Sequence, residues 1–167
     1  IPHAKNSVEY QAELSHRREY FADLFAANYV GGSLIKFLSH LAGDNKATVS
    51  HPATSDRISN INDFLSDNNT DTINMFNEAL KNLKLPTLEK RADLPDITSS
   101  FDNVRPFNIN NERESHGIFD AGWNYYESAL NKLNPVWADE NDAEIDKVIN
   151  DLMEKSIRNR MIVSKWN

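Results

Sequence analysis

The segment RREYFADLFAANYVGG, residues 17–32, carries two carboxylates four residues apart, Glu19 and Asp23, in an otherwise apolar run. On a helix that spacing sets both acids on one side, one turn apart. A carboxylate withdrawn from water needs a cation or a metal, so two chemistries are open. One is a structural ion pair. Arg57 is the strongest internal partner for it, because a planar guanidinium holds a carboxylate bidentately. In the other, Glu19 ligates a metal and Asp23 supports the site from behind. His16 lies one turn before Glu19 and is within reach of the same place. Glu13 and His16 form an E-x-x-H pair, a spacing used by di-iron bundles, which also need a second copy and two further glutamate-bearing helices. Glu112 and His116 stand four apart in NERESH, which reads as loop, and are taken as surface polar residues.

The rest of the composition narrows the field. The net charge is −7, the wrong sign for general nucleic-acid binding, which needs a basic footprint. There is no cysteine, which excludes disulfides, thiolate metal sites and cysteine nucleophiles. No apolar run approaches the length that crosses a bilayer, and no signal peptide is visible at the start. Neither a glycine-rich phosphate loop nor a G-x-S-x-G elbow occurs. The length suits one domain with a real core.

The elements that must position the acids read as helices throughout, and the expected fold class is all-α with a long irregular loop. Residues 7–30 hold good helix formers and stop at Gly31 and Gly32. Ser33 is the expected cap of a short apolar helix ending at Gly43. Thr54 or Ser55 caps the next, with Ile58, Ile61, Phe64 and Leu65 at helical spacing. Asn69 or Thr70 starts another, with Ile73, Phe76, Leu80 and Leu83 on one face. Residues 84–118, punctuated by Pro86, Pro95 and Pro106, hold no period and read as one long loop. Residues 120–133 and 142–162 make a closing pair, the second with Ile145, Val148, Ile149, Leu152 and Ile157 as its stripe. The expected divisions are thus 1–83, 84–118 and 119–167. Trp123, Tyr125 and Tyr126 are expected in the core. On a helical wheel, Ala12, Ser15, Glu19, Ala22, Asp23, Ala26 and Val30 share one side of the first helix, and Leu14, Phe21 and Phe25 the other. Such a helix is expected to be buried all round.

RREYFADLFAA resembles the E-x-x-A-D segment of the gluzincin metallopeptidases related to HtpX and the CAAX prenyl endopeptidases. That pattern continues with a short apolar helix, a loop containing HP, and an Arg-Ile opening another helix. Here SLIKFLSHLAG leads to SHPATSDRISNI, so that His51, Pro52, Arg57 and Ile58 fall in the matching places. The likeness covers roughly residues 12–65, about a third of the chain. It implies that Glu19 is the third zinc ligand, that Asp23 orients a zinc-bound histidine, and that Arg57 and His51 brace the helix or line the cleft, with His16 at its edge.

The same likeness exposes a departure. HExxH supplies two zinc ligands and the general base in that family, and this sequence has none. Its histidines are His3, His16, His40, His51 and His116. The resemblance therefore implies the C-terminal part of a zinc-dependent endopeptidase, with zinc expected in the intact enzyme and not tightly bound to this chain alone. The absence of an initial Met fits a fragment. The implied partners are a peptide or protein substrate, together with an N-terminal portion of the same protein or a second copy of the chain. The alternative is a non-enzymatic helical interaction module in which Glu19 and Asp23 form only a structural ion pair.

Overall fold

In a computed structural model, described for residues 7–131 and 135–166, the chain forms seven α-helices and no strand. They are α1 (Val8–Val30), α2 (Ser33–Ala42), α3 (Thr54–Leu65), α4 (Asp71–Asn82), α5 (Thr98–Asp102), α6 (Glu112–Leu130) and α7 (Asp142–Trp166), with a single 3-10 turn at Pro135–Trp137. The all-α class read from the sequence is the class observed. His3 and part of the expected helix 120–133 lie outside the described residues.

The chain divides into two units, Ile1–Lys90 and Arg91–Asn167. In the first, Ser7 caps α1 by accepting the Tyr10 N–H, and Gly31 closes the helix at φ 60°, where a side chain would be strained. Ser33 does not cap α2. It is the helix's first residue, and its hydroxyl donates back to the Val30 carbonyl at 2.7 Å. Thr70 does cap α4. α1 packs on α2 and α3, α2 packs on α3, and Phe76 of α4 meets Phe21 of α1 edge-on at 5.3 Å. Leu24, Ala27, Leu38, Ile61, Phe64, Ile73 and Leu88 form the core. The start of the expected loop is tied to this unit: Asn77 accepts the Leu88 N–H at 2.9 Å and Asn28 the Glu89 N–H at 2.8 Å.

α1 corrects the expectation of a helix buried all round. Only Asp23, Leu24, Ala27 and Asn28 are buried on it. Ala22 is exposed, and Phe25 is 49% exposed. The buried face runs between the two sides drawn on the wheel. Phe25 instead lies along a surface row of rings, 6.2 Å from Phe21 and 5.5 Å from Tyr29.

In the second unit α6 packs against α7 around Ile97, Phe101, Ile109, Ile118, Ala121, Tyr125, Ala129, Trp137, Ile145, Ile149 and Leu152. Two elements interrupt the stretch read as one loop. Residues 98–102 form α5, and α6 begins at Glu112, well before the expected 120. The reason for the early start is local. Asn111 caps the helix by accepting the Glu114 N–H, and the Glu114 carboxylate reaches back to the Asn110 N–H at 2.8 Å, a reciprocal arrangement close to a capping box. Glu112 and His116, expected in a loop, therefore sit on the first turns of α6, 3.7 Å apart. Of the α7 stripe, Ile145, Ile149 and Leu152 are buried, and Val148 and Ile157 are half-buried. The buried Ser156 hydroxyl donates to the Leu152 carbonyl and accepts the Phe107 N–H, which fastens the segment before α6 onto α7.

Candidate functional site

The site is built from α1, the first turn of α3 and the loop between α2 and α3. Asp23 is buried on α1, its side chain 5% exposed. Arg57 enters from α3 and holds it with two parallel bonds, Nε to Oδ2 and Nη2 to Oδ1, each 2.7 Å. This is the fork-on-fork geometry of a strong charge-assisted pair. The Asp23 hydrogen bond holds the Arg57 guanidinium pKa above its ordinary value, against the opposing pull of burial. Beside the pair, burial and then the charges of Asp56 and Asp23 push the Tyr20 phenol up.

Glu19, one turn earlier on α1, is held differently. Its Oε2 is 3.5 Å from Arg57 Nη2, and its Oε1 is 3.4 Å from His51 Nδ1. Both contacts are longer than the roughly 2.7–2.9 Å of a charge-assisted hydrogen bond. The Glu19 side chain is 31% exposed, so its carboxylate is flanked by a guanidinium and an imidazole without being closed off.

The loop that carries His51 is fixed from several sides. The Thr48 N–H donates to the His51 carbonyl at 2.8 Å, and the His51 N–H to the Thr48 hydroxyl at 3.0 Å. Thr54 at the start of α3 donates its N–H to the Asn45 carbonyl, and Pro52 is buried. His16 joins this scaffold rather than the carboxylates: its Nε2 donates to the Thr48 carbonyl at 2.7 Å. The structure thus brings Glu19, Asp23, Arg57 and His51 to one point and assigns His16 to the loop behind it. Glu13 pairs with Arg17 on the open surface.

The donors present do not make a complete zinc site. A catalytic zinc takes three protein ligands and a water, and among the described residues no three His, Asp or Glu side chains are grouped to hold a metal ion. Asp23 is engaged at both oxygens by Arg57, which leaves Glu19 and the exposed His51 as the donors at this point.

Sequence reasoning missed a second polar constellation, in the Arg91–Asn167 unit. Trp137 Nε1 donates to Tyr125 Oη at 2.8 Å, and Tyr125 Oη donates to Asp102 Oδ1 at 2.7 Å. Tyr125 is buried as expected, but nothing in the local sequence links it to an acid on another helix. Among the described residues no helix is long and apolar enough to cross a membrane. No protein-family model, curated protein or solved structure matches the chain.

Proposed function

We propose that this chain is the helical part of a gluzincin-type zinc endopeptidase of the HtpX and CAAX prenyl endopeptidase kind. Glu19 is the zinc ligand it contributes, and the HExxH pair comes from polypeptide beyond this sequence. In such an enzyme zinc polarises the scissile carbonyl and activates a water. The part played by this chain's own residues is positional. Arg57 locks Asp23, and through it the register of α1 against α3. Arg57 and His51 then orient the Glu19 carboxylate while leaving it accessible.

The observation that supports this reading is convergence. The E-x-x-A-D segment and, some thirty residues further along, the neighbouring HP and Arg-Ile motifs supply side chains that meet within 3.5 Å. The contrast inside the cluster points the same way, since the buried acid is fully clamped and the accessible one is not. The test is metal analysis and a chelator-controlled peptidase assay on the longer natural polypeptide that contains this chain, with and without Glu19→Gln. Bound zinc and cleavage should both fall in the variant while its unfolding midpoint stays close to that of the parent. A parent polypeptide lacking HExxH, or a variant with unchanged zinc, would sink the reading.

A second reading has its own support. Both Glu19 oxygens already face a side-chain partner, His51 and Arg57, which is sufficient for a structural polar cluster in a non-enzymatic helical interaction module. The same experiment separates the two, because in that module Glu19→Gln changes no metal content.

A further inference from the structure

α7 carries a second ordered face besides the one it gives to the core. Ile145, Ile149, Leu152 and Ser156 are buried on the core side. Roughly 120° round the helix, at about 100° per residue, Glu144, Val148 and Asp151 follow one another at spacings of four and three. Lys155 continues that spacing, and Arg158, Ile162 and Lys165 repeat it. Alternate steps of four and three keep a seam on one side of a helix, as in a coiled coil. Val148 is half-buried and the other members are exposed, Ile162 by 55%.

The seam is complementary to its own reverse. Turned end for end about Lys155, it sets Glu144 against Lys165, Val148 against Ile162 and Asp151 against Arg158. Each acid meets a cation and each aliphatic side chain meets another. A two-fold interface is isologous, so each of these contacts occurs twice. The exception is Lys155, which meets its own copy on the axis, with a Glu154 beside it from each chain. Arg158 is engaged with Glu154 of its own helix, but both are exposed, and such a pair contributes little and exchanges readily. The acidic end is crowded by itself. A hydrogen bond with Glu144, and then the Glu144 charge, raise the Glu140 carboxyl above its ordinary value, and a lysine brought to Glu144 would relieve that crowding. The helix dipole also favours acids at the start of α7 and cations at its end. That effect fades within a turn and places no aliphatic side chain, so it leaves Asp151, Arg158 and the exposed Ile162 without a reason.

We infer that α7 pairs with α7 of a second copy of this chain, antiparallel and centred on Lys155. The inference does not rest on the peptidase reading, since no residue of the Glu19 cluster belongs to this unit.

The test is the mass of the full chain in solution. Sedimentation equilibrium should show a monomer–dimer equilibrium with a dissociation constant on the order of 100 μM, weakening as salt screens the exposed charges. Arg158→Glu sets like charge against Asp151 and should weaken association at least about tenfold. Asp151→Lys should do the same, and the double variant, which exchanges the two charges, should recover it. Both positions are exposed, and circular dichroism checks that the fold is kept. Orientation is read by cross-linking, which the lack of native cysteine makes clean. Lys155→Cys should give a disulfide-linked dimer. Ile162→Cys should not, because its two copies would lie roughly 21 Å apart along the helices, beyond the reach of about 7 Å that a disulfide allows. A monomer at about 1 mM, association that ignores salt or Arg158→Glu, a double variant that stays weak, or cross-linking through Ile162→Cys would each overturn the assignment. So would a chain that stays monomeric yet co-sediments with phosphatidylserine vesicles, since the seam would then belong to an anionic lipid surface.

Discussion

Arg57 touches both Glu19 and Asp23 of α1, and its removal would leave Asp23 buried without the guanidinium that holds both its oxygens. Breaking a buried pair from one side costs about 3–5 kcal/mol. Arg57→Met should therefore lower the urea midpoint of the first unit strongly, and an unchanged midpoint would show that the clamp is not what stabilises α1 on α3. Glu19→Gln should cost far less, because its contacts are long and its side chain a third exposed. That a buried acid here needed an arginine was legible in the sequence. Which of the two acids would be buried was not, because the wheel gave them the same side and only the approach of α3 separates them. Tyr125 was legible as core but not as a proton holder. Burial first, and then the hydrogen bond and charge of Asp102, hold its phenol well above the ordinary value near 10, while the Trp137 hydrogen bond pulls the other way. The folded state binds this proton more tightly than the unfolded chain. Its contribution is therefore complete below about pH 10 and is lost as the pH rises beyond that. Urea unfolding followed by circular dichroism should show stability falling through this range, with a shallower fall in Tyr125→Phe. Equal slopes would remove the tyrosine from the account.

At the scale of elements, two glycines of α6 separate what can give from what cannot. A methyl group on Gly117 would stand 1.9 Å from the Asp93 carbonyl oxygen and 3.2 Å from Pro95 Cδ. On Gly122 it would meet the sulfur of Met153 at 2.1 Å. Backbone cannot move aside, whereas a methionine side chain is flexible and swings readily. Gly117→Ala should cost about 1–3 kcal/mol or more, as overpacking does. Gly122→Ala should cost much less, helped by the roughly 0.5–1 kcal/mol that alanine gains over glycine inside a helix. Chemical denaturation of the two variants checks the order, and a larger loss at Gly122 would contradict it. The start of α6 shows why boundaries were harder to read than helices. Asn111 and Glu114 carry the cap in plain sequence, but Pro106 and the lack of a steady apolar period before residue 118 made the region look like one loop. Asn111→Ala should cost about 1 kcal/mol, measured in the same way.

For the whole molecule, the all-helical class was legible because nothing in the chain alternates with the period of a strand. The division after Lys90 was not, because both cores are built from the same aliphatic spacing and differ only in which helices meet. The purified chain by itself should neither retain stoichiometric zinc nor cleave peptides, since a catalytic zinc needs three protein ligands and the described residues bring no such trio together. Metal analysis, a peptidase assay and the mass in solution test this together. A clean monomer with one zinc and chelator-sensitive cleavage would place the whole site inside these residues. The division at Lys90 has an optical consequence. Trp123, Trp137 and Trp166, the three tryptophans of the chain, all fall in Arg91–Asn167, and the first unit holds phenylalanine and tyrosine only. Emission excited selectively from indole is therefore a direct reporter of the second unit, and it is silent about the rings around α1. A melt recorded that way can look complete and single-stepped while the Asp23–Arg57 clamp has already parted, or while it still holds. Tyr20, beside the clamp, is the natural place for a tryptophan that would let the first unit be seen in its own colour.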